Sequence, residues 1–137
     1  MLGLFRSKKR SAQARILVVD DEPDWVSTIQ CRLEWCHFGV ITASDGKEAL
    51  EKAASERPDL ILLDTDMPVM NGHKMLERLR EHPDLKDIPV IMVTSLYEPR
   101  DIAVASSHGV VDYVTKPFDF PELMEKITNA LGNRKFE

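Results

Sequence analysis

The sequence predicts an α/β domain built on a five-stranded parallel sheet with helices on both faces. Apolar runs of strand length alternate five times with segments whose apolar residues recur at spacings of three and four. The runs LILL (Leu60 to Leu63) and VIMV (Val90 to Val93) are continuously apolar, which marks strands buried on both faces, as in a parallel sheet covered by crossover helices.

The elements follow in order. Arg15 to Val19 reads as the first strand, and Val26, Ile29, Leu33 and Cys36 as the buried stripe of the first helix. Val40 to Ala43 forms the second strand. Asp45-Gly46 opens the second helix, with Ala49, Leu50, Ala53 and Ala54 on its inner side. Leu60 to Leu63 precedes a helix marked by Met75, Leu76 and Leu79, and Val90 to Val93 one marked by Ile102, Ala103 and Ala105, with Pro99 in its first turn. The fifth strand is read at Val110 to Val114. The fifth helix carries Leu123, Met124, Ile127, Ala130 and Leu131, with Pro121 in its first turn. Gly39 and Gly109 stand where helices are expected to end before strands.

A chain of 137 residues, 43% of them hydrophobic, suits one domain with its own core. Its expected body is 14–131, between a basic N-terminal tail (1–13) and a short C-terminal tail (132–137). No apolar run approaches the roughly 20 residues that span a bilayer, and the start, MLGLFRSKKR, lacks an export pattern, so the expected compartment is the cytoplasm. Leu2, Leu4 and Phe5 beside Arg6 to Arg10 could touch an anionic membrane or a partner, although a frayed, solvated tail is the plainer reading. Cys31 and Cys36 have no partner at metal or redox spacing and read as helix packing residues or bystanders. The four histidines form no ligand set.

The net charge of -5 conceals an asymmetry. Arg6, Lys8, Lys9, Arg10 and Arg15 carry five of the 18 basic residues and no acid precedes Asp20, leaving 13 bases against all 23 acids. So acidic a body argues against direct nucleic-acid binding, which needs a clustered basic surface, and suits a site for a divalent cation.

In an open parallel sheet, ligands bind outside the carboxyl ends of the strands. There the sequence places Asp20 and Asp21 after the first strand, Asp64 at the end of the third, Thr94 and Ser95 at the fourth, and Lys116 after the fifth. Each taken singly reads as a solvated loop group or helix cap. Together they bring three carboxylates to one rim, which calls for a compensating cation, and oxygen ligands favour Mg2+ or a similar hard ion. A lysine and a hydroxyl opposite complete a pocket for a tetrahedral anion, as phosphoryl transfer to a carboxylate requires.

The segments VVDDEP, LLDTDMPVMNG, VTS and YVTKPF resemble the signature segments of bacterial response-regulator receiver domains, in family order and at family distances, over about residues 14–131. The resemblance implies a flavodoxin-like (βα)5 fold with strand order 2-1-3-4-5, in a phosphorylation-dependent switch of a two-component system. It makes Asp64 the phosphoacceptor. Asp21, Asp64 and the backbone carbonyl of Asp66 would bind Mg2+ (or Mn2+), with Asp20 acting through water. Lys116 would pair with the phosphoryl group, helped by a cis bond to Pro117. Thr94 and Tyr113 resemble the hydroxyl and aromatic switch pair, and the output surface would be the fourth helix, fifth strand and fifth helix.

The implied partners are a sensor histidine kinase or histidine phosphotransfer protein and a downstream protein target, with a phosphorylation-dependent homodimer as a further state. The implied chemistry is that of a phosphoacceptor which assists its own phosphorylation and dephosphorylation, not of an enzyme acting on other substrates. With six residues after Leu131, the effect is expected to fall on another protein, unless the chain is part of a longer one.

Three positions depart from the family pattern. Ser95 stands where Ala is usual, Val110 replaces the Ala after Gly109, and Asp66 adds an acid two residues beyond Asp64. Asp66 and Leu96 are therefore expected to tune the lifetime of the phosphoryl group. Two other functions compete. Asp64-Thr65-Asp66 also looks like the DxD of haloacid-dehalogenase-type phosphatases, but there the motif follows the first strand. A receiver-like adaptor that works without phosphorylation is the other alternative.

Overall fold

A computed structural model of the chain describes residues 13–65, 67, 70–94 and 109–132. The elements are β1 (Arg15–Val19), α1 (Pro23–Trp35), β2 (Gly39–Ala43), α2 (Gly46–Glu56), β3 (Leu60–Asp64), α3 (Gly72–Glu81), β4 (Val90–Thr94), β5 (Asp112–Thr115) and α4 (Phe120–Leu131). The expected helix around Ile102, Ala103 and Ala105 lies outside the described residues, so α4 is the fifth helix of the sequence reading.

All strand pairs are parallel, in the order β2-β1-β3-β4-β5, the flavodoxin-like arrangement. The pleat divides each strand between two cores. Leu17, Val19, Ile61, Leu63, Val90 and Met92 pack with Ala49 and Ala53 of α2 and Met75, Leu76 and Leu79 of α3. Ile16, Val18, Leu60, Leu62, Ile91 and Val93 pack with Ile29 and Leu33 of α1 and Leu123, Ile127 and Leu131 of α4. Alternate residues serve opposite faces and both faces are covered, so β3 and β4 are buried at every position. The outer strands β2 and β5 are mostly half-buried.

Side chains fix the helix starts. The Asp45 carboxylate accepts the Glu48 N–H (2.8 Å), the Asn71 amide oxygen that of Lys74 (2.9 Å), and the Asp119 carboxylate that of Glu122 (3.3 Å). Two local expectations are corrected. Gly39 does not end α1; it begins β2, and His37 takes the left-handed turn at φ 70. Its N–H donates to the Glu34 carbonyl (2.9 Å) and that of Phe38 to Leu33 (3.0 Å), a Schellman closure that stabilises the turn without glycine. The fifth strand occupies Asp112–Thr115 rather than Val110 to Val114: Val110 packs against the first core before the ladder begins, and Val111 is exposed.

No described helix is long and apolar enough to cross a membrane. Cys31 is exposed and Cys36 closes α1, so neither is a core residue.

Candidate functional site

At the end of β1, the Asp20 N–H extends the ladder to the Ala43 carbonyl (3.1 Å), and the Asp20 Oδ1 accepts the Glu22 N–H (3.0 Å). This Asx turn directs the chain into α1, whose first residue is Pro23. The turn holds the Asp20 side chain inside the protein and leaves Asp21 outside: Asp20 is 1% exposed, and Asp64, the last residue of β3, 6%. One carboxylate oxygen from each of Asp20, Asp21 and Asp64 lies within 4.8 Å of the others. A set of oxygen donors this close fits a small, hard divalent cation.

A buried carboxylate needs a partner, and Asp20 has Lys116. The Lys116 Nζ donates to Asp20 Oδ2 (2.8 Å) and to Glu22 Oε1 (3.1 Å), and lies 4.5 Å from the centre of the Trp25 ring. Burial pulls the lysine pKa down, but the hydrogen bond and charge of Asp20, the charge of Asp64 and the bond to Glu22 outweigh it and hold it above the usual lysine value. Lys116 therefore remains a cation. Its backbone N–H donates to the Thr94 carbonyl (2.7 Å), tying the loop after β5 to the end of β4, and the Lys116–Pro117 peptide is cis.

Thr94 ends β4 and is buried; the Thr65 hydroxyl, next in sequence to Asp64, donates to its Oγ1 (2.9 Å). Tyr113 is paired with Met92 on β4 and packs, half-buried, against the first core. Thr94 follows Met92 by two residues, so Tyr113 and Thr94 belong to the same face of the sheet.

The structure thus gathers Asp20, Asp21, Asp64 and Lys116 at one edge and places Thr94 on the neighbouring strand one residue beyond Val93, the partner of Asp64, in contact with Thr65. Asp66, Ser95 and Leu96 lie outside the described residues, as do 1–12 and 133–137. Sequence reasoning missed four contributors. Glu22 and Trp25 hold Lys116, Thr65 holds Thr94, and Gly72 permits α3 to abut Asp64. Only Glu22 had a signal, its place directly after the acidic pair.

A family model described as the response regulator receiver domain matches residues 16–128, and the chain belongs to that family. It is 42% identical over 117 residues to the alkaline phosphatase synthesis transcriptional regulatory protein PhoP of Bacillus subtilis, covering 85% of this chain and 48% of that protein. It is 36% identical over 117 residues to the DNA-binding dual master transcriptional regulator RpaA of Synechocystis, with the same two coverages. The chain spans about half the length of these relatives. Among solved structures, the chemotaxis protein CheY4 of Vibrio cholerae superposes with a TM-score of 0.83 at 31% identity, over 87% of this chain and 99% of that one. The chain is therefore a receiver domain of the two-component response-regulator family.

Proposed function

We propose that Asp64 accepts a phosphoryl group from a phosphohistidine donor, a sensor histidine kinase or a histidine phosphotransfer protein, and that the resulting acyl phosphate is the signalling state. The observation that supports this most is the meeting of three carboxylates with the Lys116 ammonium at the carboxyl edge of the sheet. An Asp64 oxygen forms the new P–O bond as the P–N bond to the donor histidine breaks, and the imidazole leaves with the electron pair and takes up a proton. The attack is opposed by negative charge on the phosphoryl oxygens, so catalysis is mainly positioning and electrostatics. Lys116 is held ready as a cation to neutralise one of those oxygens.

Asp20, Asp21 and Asp64, with the Asp66 backbone carbonyl, would hold Mg2+ or Mn2+, which when bound supplies further neutralisation of phosphoryl charge. Water later cleaves the acyl phosphate and limits the signal, with Asp66 and Leu96 setting its lifetime. An Asp66→Asn variant that loses its phosphoryl group at the wild-type rate would remove Asp66 from that role.

The readout is a population shift in which the Thr94 hydroxyl exchanges Thr65 for a phosphoryl oxygen and Tyr113 turns inward. The surface reshaped is that of the sequence-expected fourth helix, β5 and α4, facing a downstream protein or a second copy of the chain. The acidic body supports no direct nucleic-acid contact by this segment, and the reading assigns it to the cytoplasm, with tails at 1–13 and 132–137. No turnover of external phosphomonoesters is expected.

The test is intact mass after incubation with acetyl phosphate, with and without Mg2+, on the wild type and Asp64→Asn. The expected result is a hydroxylamine-labile adduct that needs both Mg2+ and Asp64. Absence of an adduct despite demonstrable Mg2+ binding would favour a phosphorylation-independent adaptor.

A further inference from the structure

We propose that Glu22 and Trp25 form a holding clamp for the Lys116 ammonium, and that these two positioning residues set how readily Lys116 leaves its resting place for a phosphoryl group on Asp64. The inference rests on the phosphoacceptor reading of Asp64.

Three groups meet the ammonium. Asp20 Oδ2 lies inside at 2.8 Å, Glu22 Oε1 at the rim at 3.1 Å, and the Trp25 ring 4.5 Å away. Asp20 belongs to the acidic cluster itself, whereas Glu22 and Trp25 do not, so their hold on the lysine is a separate device. Glu22 occupies the N-cap of α1, where a side chain ordinarily accepts a backbone N–H, yet it makes no such bond. Its carboxylate is used on Lys116 instead. Trp25 is fixed in turn by an edge-on contact with Phe118 (6.0 Å between ring centres, 81° between planes), two residues beyond Lys116. The aromatic pair therefore links the first turn of α1 to the loop that carries the lysine, and an indole is the strongest of the aromatic faces for a cation.

Lys116 must exchange these partners for a phosphoryl oxygen. Glu22 opposes the exchange twice, by stabilising the resting ammonium and by repelling the incoming anion. Glu22→Gln keeps the side-chain length and removes the charge behind both effects, leaving at most a neutral hydrogen bond to the ammonium, while Asp20 remains to hold the lysine near the site. At a partly exposed ion pair the expected gain is about two- to fivefold in the rate of Asp64 phosphorylation.

The experiment uses the full chain carrying Trp35→Phe. Trp35 is exposed and remote from Lys116 in the contacts described, and its removal leaves Trp25 as the single tryptophan. Adduct formation from acetyl phosphate is followed by intact mass at saturating Mg2+, with Mg2+ affinity measured separately, in this protein with and without Glu22→Gln. Trp25 emission is recorded at rest and with beryllofluoride. The expected results are the two- to fivefold faster adduct, a resting Trp25 emission altered by Glu22→Gln, and a beryllofluoride response in the parent that Lys116→Met abolishes. An unchanged or slower rate at saturating Mg2+ overturns the gating, and identical resting spectra overturn the clamp. If the parent forms no adduct, the phosphoacceptor reading fails and the gating with it, while the resting spectra still decide whether the clamp exists.

Discussion

Gly72 lies so close to the main chain of Asp64 that a Cβ built on it would stand 2.2 Å from the Asp64 carbonyl oxygen and 2.9 Å from the Thr65 Cα. The first residue of α3 thus rests on the strand end that carries the Asp64 carboxylate, and the Gly72 N–H donates to the Thr65 carbonyl (3.2 Å). The atoms in the way are backbone and have no rotamer to change.

Gly72→Ala must therefore move α3 or the end of β3. The expected cost is about 1–3 kcal/mol, from the ordinary range for overpacking, read as a lowered urea midpoint. Phosphorylation of Asp64 should slow more than stability alone explains. A variant with wild-type stability would show that the close approach is relieved at no cost.

Lys116→Met leaves Asp20 as a buried carboxylate without its cation. Breaking a buried pair costs about 3–5 kcal/mol, and with the Asp20 side chain enclosed and Lys116 only slightly exposed the loss belongs at the lower end of that range. The folded-state pKa of Lys116 is raised, so its contribution is complete below the ordinary lysine value of 10.5 and is lost as pH rises through the raised value. The stability difference between wild type and variant should be flat near neutrality and shrink only in strong alkali. A difference that persists unchanged in strong alkali would contradict the assignment.

Mg2+ is expected to raise the melting temperature, because the folded chain gathers the three carboxylates and the unfolded chain does not. At a hundred times its dissociation constant a ligand adds about 2.7 kcal/mol. Chelation should reverse the shift and Asp21→Asn should weaken it, with no phosphodonor present. A melting temperature indifferent to Mg2+ would remove the metal from the proposed site.

His37→Gly is expected to stabilise the chain by up to about 1 kcal/mol, since a residue other than glycine in the left-handed region carries a steric cost of that order. The Schellman hydrogen bonds use only backbone and survive the change. Thermal melts compare the two; a destabilised variant would mean that the imidazole makes contacts worth more than the strain.

The sheet was largely legible because β3 and β4 are apolar at every position before their polar last residues, Asp64 and Thr94, a pattern that only burial on both faces explains. The edges were less so. Val110 and Val111 prolonged an apolar run beyond the true start of β5, since hydropathy does not register where ladder pairing begins. His37 as the left-handed residue was hidden for a related reason: two backbone hydrogen bonds stabilise a turn that composition assigns to glycine. At the site, the strand-end rule located Asp20, Asp21, Asp64, Thr94 and Lys116, because position along a strand fixes which edge a residue reaches. The hold of Glu22 and Trp25 on Lys116 was not legible, since it depends on side-chain conformations across the gap between β1 and β5.

Lys116 and Asp20 are 96 positions apart in the chain and 2.8 Å apart in space, with Asp64 contributed from between them. No fragment lacking either end of that span can assemble the pocket. A chain that has emerged from the ribosome only as far as β4 has its carboxylates but not the lysine that answers them. Under the proposed function, competence to receive a phosphoryl group would then certify that the domain is complete, and an unfinished copy would remain silent rather than send a false signal.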